Sequence, residues 1–461
     1  MIKRILAAIM CLGIFLTVSC AEAPQLLNFI QAEEGADLDG TVIDFAWCEG
    51  AAEHPFYIED TPQYDAFRKR ISDTNEALNC EIKVEIDADQ TPIEVAIQSG
   101  SDSVDILLCS GIYGYMDANM LHSLNDYPEY IDLNDTKKYG TKNFLEGMMY
   151  NGVVYGVSPV QWPGFESNGG YLTFYNRDLF QEYNIPDFRE YYENEKWTWD
   201  TFRYEYMDKY DLQKTDGSTL YLLHTNFSDL YQIVFYSNGL NYIKTNDDGS
   251  LSVDPFTNEF TSSMQYWHDL VQENKHKIEY DTNTYSFTPY TNEDAAVGFG
   301  WNSHVVTGCI AYNDKSFETG VLPIPCGPDV EYGQWGQCIQ RAYGMVLPIT
   351  STIPEASAQA IDMLFEPFEE FGGDEGLFEY YRTNVFTTDF DAQIYLDVLN
   401  YIRYDYTFEG DRYQRNVTYS YEDYFLSSTV TLAMAMEQSR PLIDRLTSEF
   451  MLGNYEAVYG E

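Results

Sequence analysis

Asn151-Gly152-Val153-Val154-Tyr155-Gly156-Val157-Ser158-Pro159 reads as a turn, a short strand and a stop. Asn-Gly supplies the positive-φ corner, Val153 to Tyr155 is β-branched or aromatic, and Pro159 has no N–H to give a ladder. A second strand follows at Tyr171-Leu172-Thr173-Phe174-Tyr175-Asn176, and Arg177-Asp178-Leu179-Phe180 opens a short helix that stops near Asn184 and Pro186. After an acidic, Tyr-rich insertion from Asp187 to Lys196 comes Trp197-Thr198-Trp199-Asp200-Thr201-Phe202, with Thr198 as an N-cap and Phe202, Tyr206 and Tyr210 on one helical face. These elements specify an α/β chain.

Working outward toward the N-terminus, Thr41 to Trp47 and Glu81 to Ile86 read as strands, and Val104 to Cys109 as a buried one. Helical spacing over Tyr64 to Ala77 and Ile93 to Gln98 fills the gaps between them. That rhythm predicts a parallel sheet whose ligand lies beyond the carboxyl ends of its strands, where Trp47, Glu49, Ser110 and Tyr113 stand. Toward the C-terminus, the pattern gives a strand at Tyr221 to His224, a helix from Phe227 ending at Gly239, and a hairpin turning at Asp248-Gly249. A helix over Phe260 to Glu273, a strand from Gly344 and a helix opened by Pro354 complete the reading.

Tyr155-Gly156-Val157, then Phe174-Tyr175-Asn176-Arg177-Asp178-Leu179-Phe180, then Trp197-Thr198-Trp199-Asp200-Thr201-Phe202 resembles the central signature of the carbohydrate-type extracellular solute-binding proteins of ABC importers. Tyr290-Thr291-Asn292-Glu293-Asp294-Ala295-Ala296-Val297-Gly298-Phe299-Gly300-Trp301 resembles that family's second signature, and Gly320-Val321-Leu322-Pro323-Ile324-Pro325 its third, the strand that crosses between lobes. Asp117 to Leu124 resembles the segment that precedes them. The resemblance implies a two-lobed α/β, periplasmic-binding-protein-like fold with a hinge and an interlobe cleft. Residues 24–160 plus 323–375 would form one lobe, and 161–322 plus 376–461 the other. The chain would cross between them near Trp162, near Pro323 and near Gly372.

Composition agrees with two large bodies, since 461 residues exceed what one ordinary core holds. With 26 basic against 74 acidic residues the formal charge is −48, so the surface repels phosphate backbones and excludes nucleic acid as a partner. The N-terminus carries an export signal, residues 1–20: Lys3-Arg4 is the basic region and Ile5 to Val18 the apolar one. Leu16-Thr17-Val18-Ser19-Cys20 resembles a bacterial lipobox, which makes Cys20 the lipidated first residue and places the protein, as a monomer, on the extracellular face of the membrane. Of the other cysteines, Cys48, Cys80, Cys109, Cys309, Cys326 and Cys338 remain after the signal is removed, and none forms a Cys-x-x-Cys pair. The reading therefore includes no zinc or haem motif, no metal site and no cofactor, while disulfide pairing stays open.

A sugar offers an apolar face and a hydroxyl rim, so its binder needs flat aromatic rings and carboxylates or amides at loops and strand ends. Trp47, Tyr113, Trp162, Trp301 and Trp335 meet the first need, and Glu49, Ser110 and Asp229 the second. Trp197 and Trp199 flank a helix start and read as packing residues. The sequence carries no Gly-x-Ser-x-Gly, phosphate loop or paired-His metal motif, so no catalytic residue is assigned. The implied function is capture of an oligosaccharide and its delivery to ABC permease subunits. Two other readings stand beside it: a binder of a cationic solute such as a polyamine, because aromatics with acids also cage cations, and a glycan-degrading enzyme using two of the many carboxylates.

Overall fold

In the computed structural model the described residues are 37–48, 56, 61–101, 103–150, 152–162, 170–240, 243–245, 251–253, 256–280, 290, 292–301, 317–334, 337–339, 343–371, 376–399, 401–404 and 420–446. The strands of the two main sheets, in chain order, are β1 (Thr41–Trp47), β2 (Cys80–Ile86), β3 (Ile106–Cys109), β4 (Gly156–Val157), β5 (Tyr171–Asn176), β6 (Thr219–Thr225), β7 (Ile278–Tyr280), β8 (Ala295–Trp301), β9 (Thr319–Pro323) and β10 (Gly344–Val346). The helices used below are α1 (Pro62–Leu78), α2 (Gln90–Gln98), α3 (Ile112–Asp117), α4 (Phe227–Ser237), α5 (Asn258–Asn274), α6 (Pro354–Leu364), α7 (Gly376–Asn384) and α8 (Asp389–Leu399).

The first sheet has the order β2-β1-β3-β10-β4. Its β2, β1 and β3 run parallel, as the strand and helix rhythm predicts, and β10 returns antiparallel to β3. Such parallel neighbours need crossover helices, and α1 and α2 supply them. Thr61 caps α1 by accepting from Tyr64 N at 3.1 Å, and Asn79 closes it in the left-handed region at φ 47.

The second sheet has the order β7-β6-β8-β5-β9, with β6 parallel to both β7 and β8, and β5 antiparallel to β8 and β9. Behind it pack α4, α5 and a π-helical segment, Thr201–Met207, that buries Phe202 and Tyr206. Trp197 and Trp199 lock this segment in place. The first donates its indole N–H to Pro323 O at 2.8 Å and the second to Ser237 Oγ at 3.2 Å, so both are packing residues.

Buried apolar side chains divide in the same way. One core gathers residues from Ile43 to Trp162 and from Met345 to Phe368; the others gather Tyr171 to Cys326 and Tyr380 to Ile443. Each sheet thus has its own core, which is the two-lobed α/β architecture. Two arginines, Arg70 buried and Arg177 half-buried, tie distant segments to these cores. Arg70 of α1 donates to the carbonyls of Met363, Leu364, Glu366 and Pro367, satisfying the C-terminal end of α6, and its guanidinium lies 4.7 Å from the Phe368 ring centroid. Arg177, just after β5, makes a two-pronged contact with Asp391 of α8 at 2.8 and 3.0 Å.

Candidate functional site

In open α/β sheets ligands bind beyond the carboxyl ends of the strands. On the first lobe, β1 ends at Trp47 and β3 runs into Ser110-Gly111, where Gly111 takes φ 71 as the N-cap of α3. A side chain is strained at that angle, so glycine makes the corner. Gln90 of α2 fixes the corner by donating its amide to Ser110 O at 2.9 Å and to the Tyr115 hydroxyl at 3.2 Å. Ser110 is half-buried there, and Tyr113 stands in the first turn of α3.

Two predicted ring contacts have a different place. Trp47 is 0% exposed and Trp162 1% exposed, with centroids 6.4 Å apart. Phe67 packs edge-on against both, Phe56 and Phe368 flank Trp162, and Trp162 Nε1 donates to Leu364 O at 3.1 Å. Neither indole has a face left for a sugar, so both are corrected here to core residues of the first lobe. A signal for Trp47 was present in the sequence. Ile43, Phe45 and Trp47 alternate along β1, and that period points all three to one buried face.

On the second lobe the carboxyl edge is made by β6 and β8. Register places Thr225 opposite Phe299, and Trp301 at the end of β8 opposite Tyr171 at the start of β5. Asp229 lies in the first turn of α4, which begins directly after β6, and is 3% exposed. Gln232 follows one turn later on the same side of the helix. It is 0% exposed, and its Oε1 lies 3.5 Å from the Tyr171 hydroxyl. Neither Gln232 nor Thr225 was picked out from the sequence. Gln232 was legible as the one amide inside the apolar run Leu230 to Phe235. Glu49, Trp335 and Cys20 lie outside the described residues, as do the side chains of Tyr113 and Trp301.

Cys48, Cys80 and Cys326 are free thiols. Cys48, at the end of β1, has its pKa pushed up to about 12 by burial and by the nearby Glu85 and Asp89; burial alone pushes Cys80 to about 11. Neither is activated as a nucleophile. Among the described residues no group of three or more His, Cys, Asp or Glu is placed to hold a metal ion, and no helix is long and apolar enough to cross a membrane.

The family model described as bacterial extracellular solute-binding protein matches residues 66–367. An ABC substrate-binding protein from Listeria monocytogenes, solved in complex with cycloalternan, superposes with TM-score 0.60 at 14% identity, covering 89% of this chain and 99% of that one. UgpB from Mycobacterium tuberculosis, in complex with glycerophosphocholine, gives 0.60 at 16%, covering 88% and 99%. The sugar-binding protein MalE from the phytopathogen Xanthomonas citri gives 0.61 at 13%, covering 88% and 98%. Identities this low show a shared fold. No curated protein matches the sequence.

Proposed function

The chain belongs to the bacterial extracellular solute-binding proteins, and from that premise we propose that it captures an oligosaccharide between its lobes and delivers it to an ABC permease. The observation that carries the ligand class is the second-lobe edge, where Tyr171, Asp229, Thr225 and Gln232 bring an aromatic residue together with a carboxyl, a hydroxyl and an amide group, next to the strand end at Trp301. That mixture suits a ligand with an apolar face and a hydroxyl rim. Structural neighbours that carry cycloalternan or are named sugar-binding support the same class. Ser110 and Tyr113 are the proposed first-lobe contacts, and Glu49 and Trp335 remain proposed contacts from the sequence.

The sequence places the crossings between lobes near Trp162, Pro323 and Gly372. Because Thr319–Pro323 pairs within the second sheet and Ile324, Cys326 and Tyr332 pack on its core, the second crossing is moved here to between Tyr332 and Tyr343; the first stays after Trp162 and the third falls between Phe371 and Gly376. The support is that Tyr332 packs on the second core and Tyr343 on the first, while Phe371 touches both. Closure about these crossings would enclose the ligand and present both lobes to the permease. The protein acts as a monomer, held at the membrane by lipid on Cys20, and releases its ligand unhydrolysed.

A second reading keeps the fold and changes the ligand to a cationic solute such as a polyamine, favoured by the net charge of −48; a neighbour solved with the zwitterion glycerophosphocholine supports recognition of a quaternary ammonium group. A thermal-shift panel of gluco-, xylo- and manno-oligosaccharides against spermidine, putrescine, choline and glycerophosphocholine separates the two. Stabilisation by oligosaccharides alone supports the proposal; stabilisation by the amines alone overturns it in favour of the cationic reading.

A further inference from the structure

Two polar groups at the second-lobe edge are buried without partners. Gln232 and Thr225 are each 0% exposed, yet Gln232 Nε2 and Thr225 Oγ1 make no hydrogen bond. Gln232 Oε1 has only a contact at the limit of hydrogen bonding, 3.5 Å from the Tyr171 hydroxyl. Burying a donor in this way destabilises the fold, and a native chain that does so calls for a specific explanation.

Their position supplies one. Thr225 is the last residue of β6 and pairs with Phe299, two places before the end of β8; Tyr171, which touches Gln232, pairs with Trp301 at that end. Both groups therefore lie at the carboxyl edge of the parallel β6–β8 pair, beside an aromatic strand terminus, where ligands of such sheets sit. We propose that Gln232 Nε2 and Thr225 Oγ1 form a subsite that reads a hydroxyl group of a neutral sugar. This rests on the carbohydrate reading above.

The donor set selects the class. The Gln232 amide nitrogen only donates, the Thr225 hydroxyl donates or accepts, and Asp229 one turn earlier adds a carboxyl group. A sugar hydroxyl donates and accepts, so it can pair with both the Gln232 amide and the Thr225 hydroxyl. A cation would leave the Gln232 amide unpaired, and an anion would meet Asp229.

The test uses the mature protein with Gln232→Met, Thr225→Val and Thr225→Ser, titrated calorimetrically with maltotetraose and with the oligosaccharide panel. Gln232→Met and Thr225→Val should weaken binding at least tenfold while the melting temperature of the unliganded protein holds or rises, because a buried unpaired group has been removed. Thr225→Ser, which keeps the hydroxyl, should bind within about threefold of the unsubstituted protein. Unchanged affinity in both Gln232→Met and Thr225→Val overturns the subsite while leaving the carbohydrate reading intact. A lowered unliganded melting temperature with unchanged affinity also overturns it, since the groups then serve the fold. Failure of the unsubstituted protein to bind any oligosaccharide overturns the carbohydrate reading and the subsite with it.

Discussion

Asp391→Ala should be among the most destabilising single substitutions in the second lobe. The Asp391 side chain is 0% exposed and accepts from Arg177 Nη1 at 2.8 Å, Arg177 Nη2 at 3.0 Å, Val321 N at 3.1 Å and the Thr388 hydroxyl. Arg177 is itself only 12% exposed. Burial works against its charge, but Tyr175 and Asp391 outweigh that and keep its pKa above the usual arginine value. Removing the carboxylate leaves a buried guanidinium with Asp187, 3.4 Å from its Nε, as its other acidic neighbour, and leaves the Val321 N–H unpaired. Breaking one side of a buried pair costs about 3–5 kcal/mol. At roughly 2–4 °C per kcal/mol for a unit of this size, a loss of about 4 kcal/mol lowers the melting transition by about 8–16 °C. Differential scanning calorimetry at neutral pH reads this directly. The double variant Arg177→Met with Asp391→Leu should recover most of the loss, because no unpaired charge remains. A shift under about 2 °C for Asp391→Ala would refute the reasoning.

Arg70→Met should cost about 2–4 kcal/mol in the first lobe, because the carbonyls of Met363, Leu364, Glu366 and Pro367 lose their shared donor, and urea unfolding should show the lower midpoint. Cys48 should react with iodoacetamide at pH 8 about three orders of magnitude more slowly than a free thiol, since its pKa of about 12 leaves little thiolate; its raised value also means that any stability from the buried neutral thiol is present below the ordinary thiol pKa and is lost as pH rises toward 12. Mass spectrometry of the alkylated protein at several pH values gives the rate. Cys20→Ala should move the protein from the membrane fraction to the soluble fraction or leave it unprocessed; unchanged membrane fractionation would place the anchor elsewhere.

Much of the fold was legible because its signals are local. β-branched and aromatic composition marked Thr41–Trp47 and Tyr171–Asn176 with their observed ends, Pro354 opened α6 at its first turn, and Gly239 closes the segment after α4 at φ 68. Tertiary placement was less legible. Trp162 takes its position from Leu364, 202 residues away, and from Phe365 and Phe368, so nothing near it in sequence separates a cleft ring from a core ring. Asp391 reads as one acid among 74 until the fold sets it against Arg177, 214 residues earlier. The site suffered most, because strand ends carry both cleft residues and core residues, and burial alone distinguishes them. Trp47 shows the rule that would have helped: the face set by Ile43 and Phe45 decides where the strand's last ring points.

The central claim is capture of an intact oligosaccharide, and calorimetric titration joined to product analysis tests it most directly. The mature protein is titrated with the oligosaccharide that stabilises it most, and the recovered ligand is chromatographed after prolonged incubation. The account predicts one site per chain with a micromolar dissociation constant, near −8 kcal/mol, and a recovered sugar of unchanged length. Shortened products would contradict it by making the protein an enzyme, and saturable binding of spermidine with no sugar bound would contradict it by making the ligand a cation.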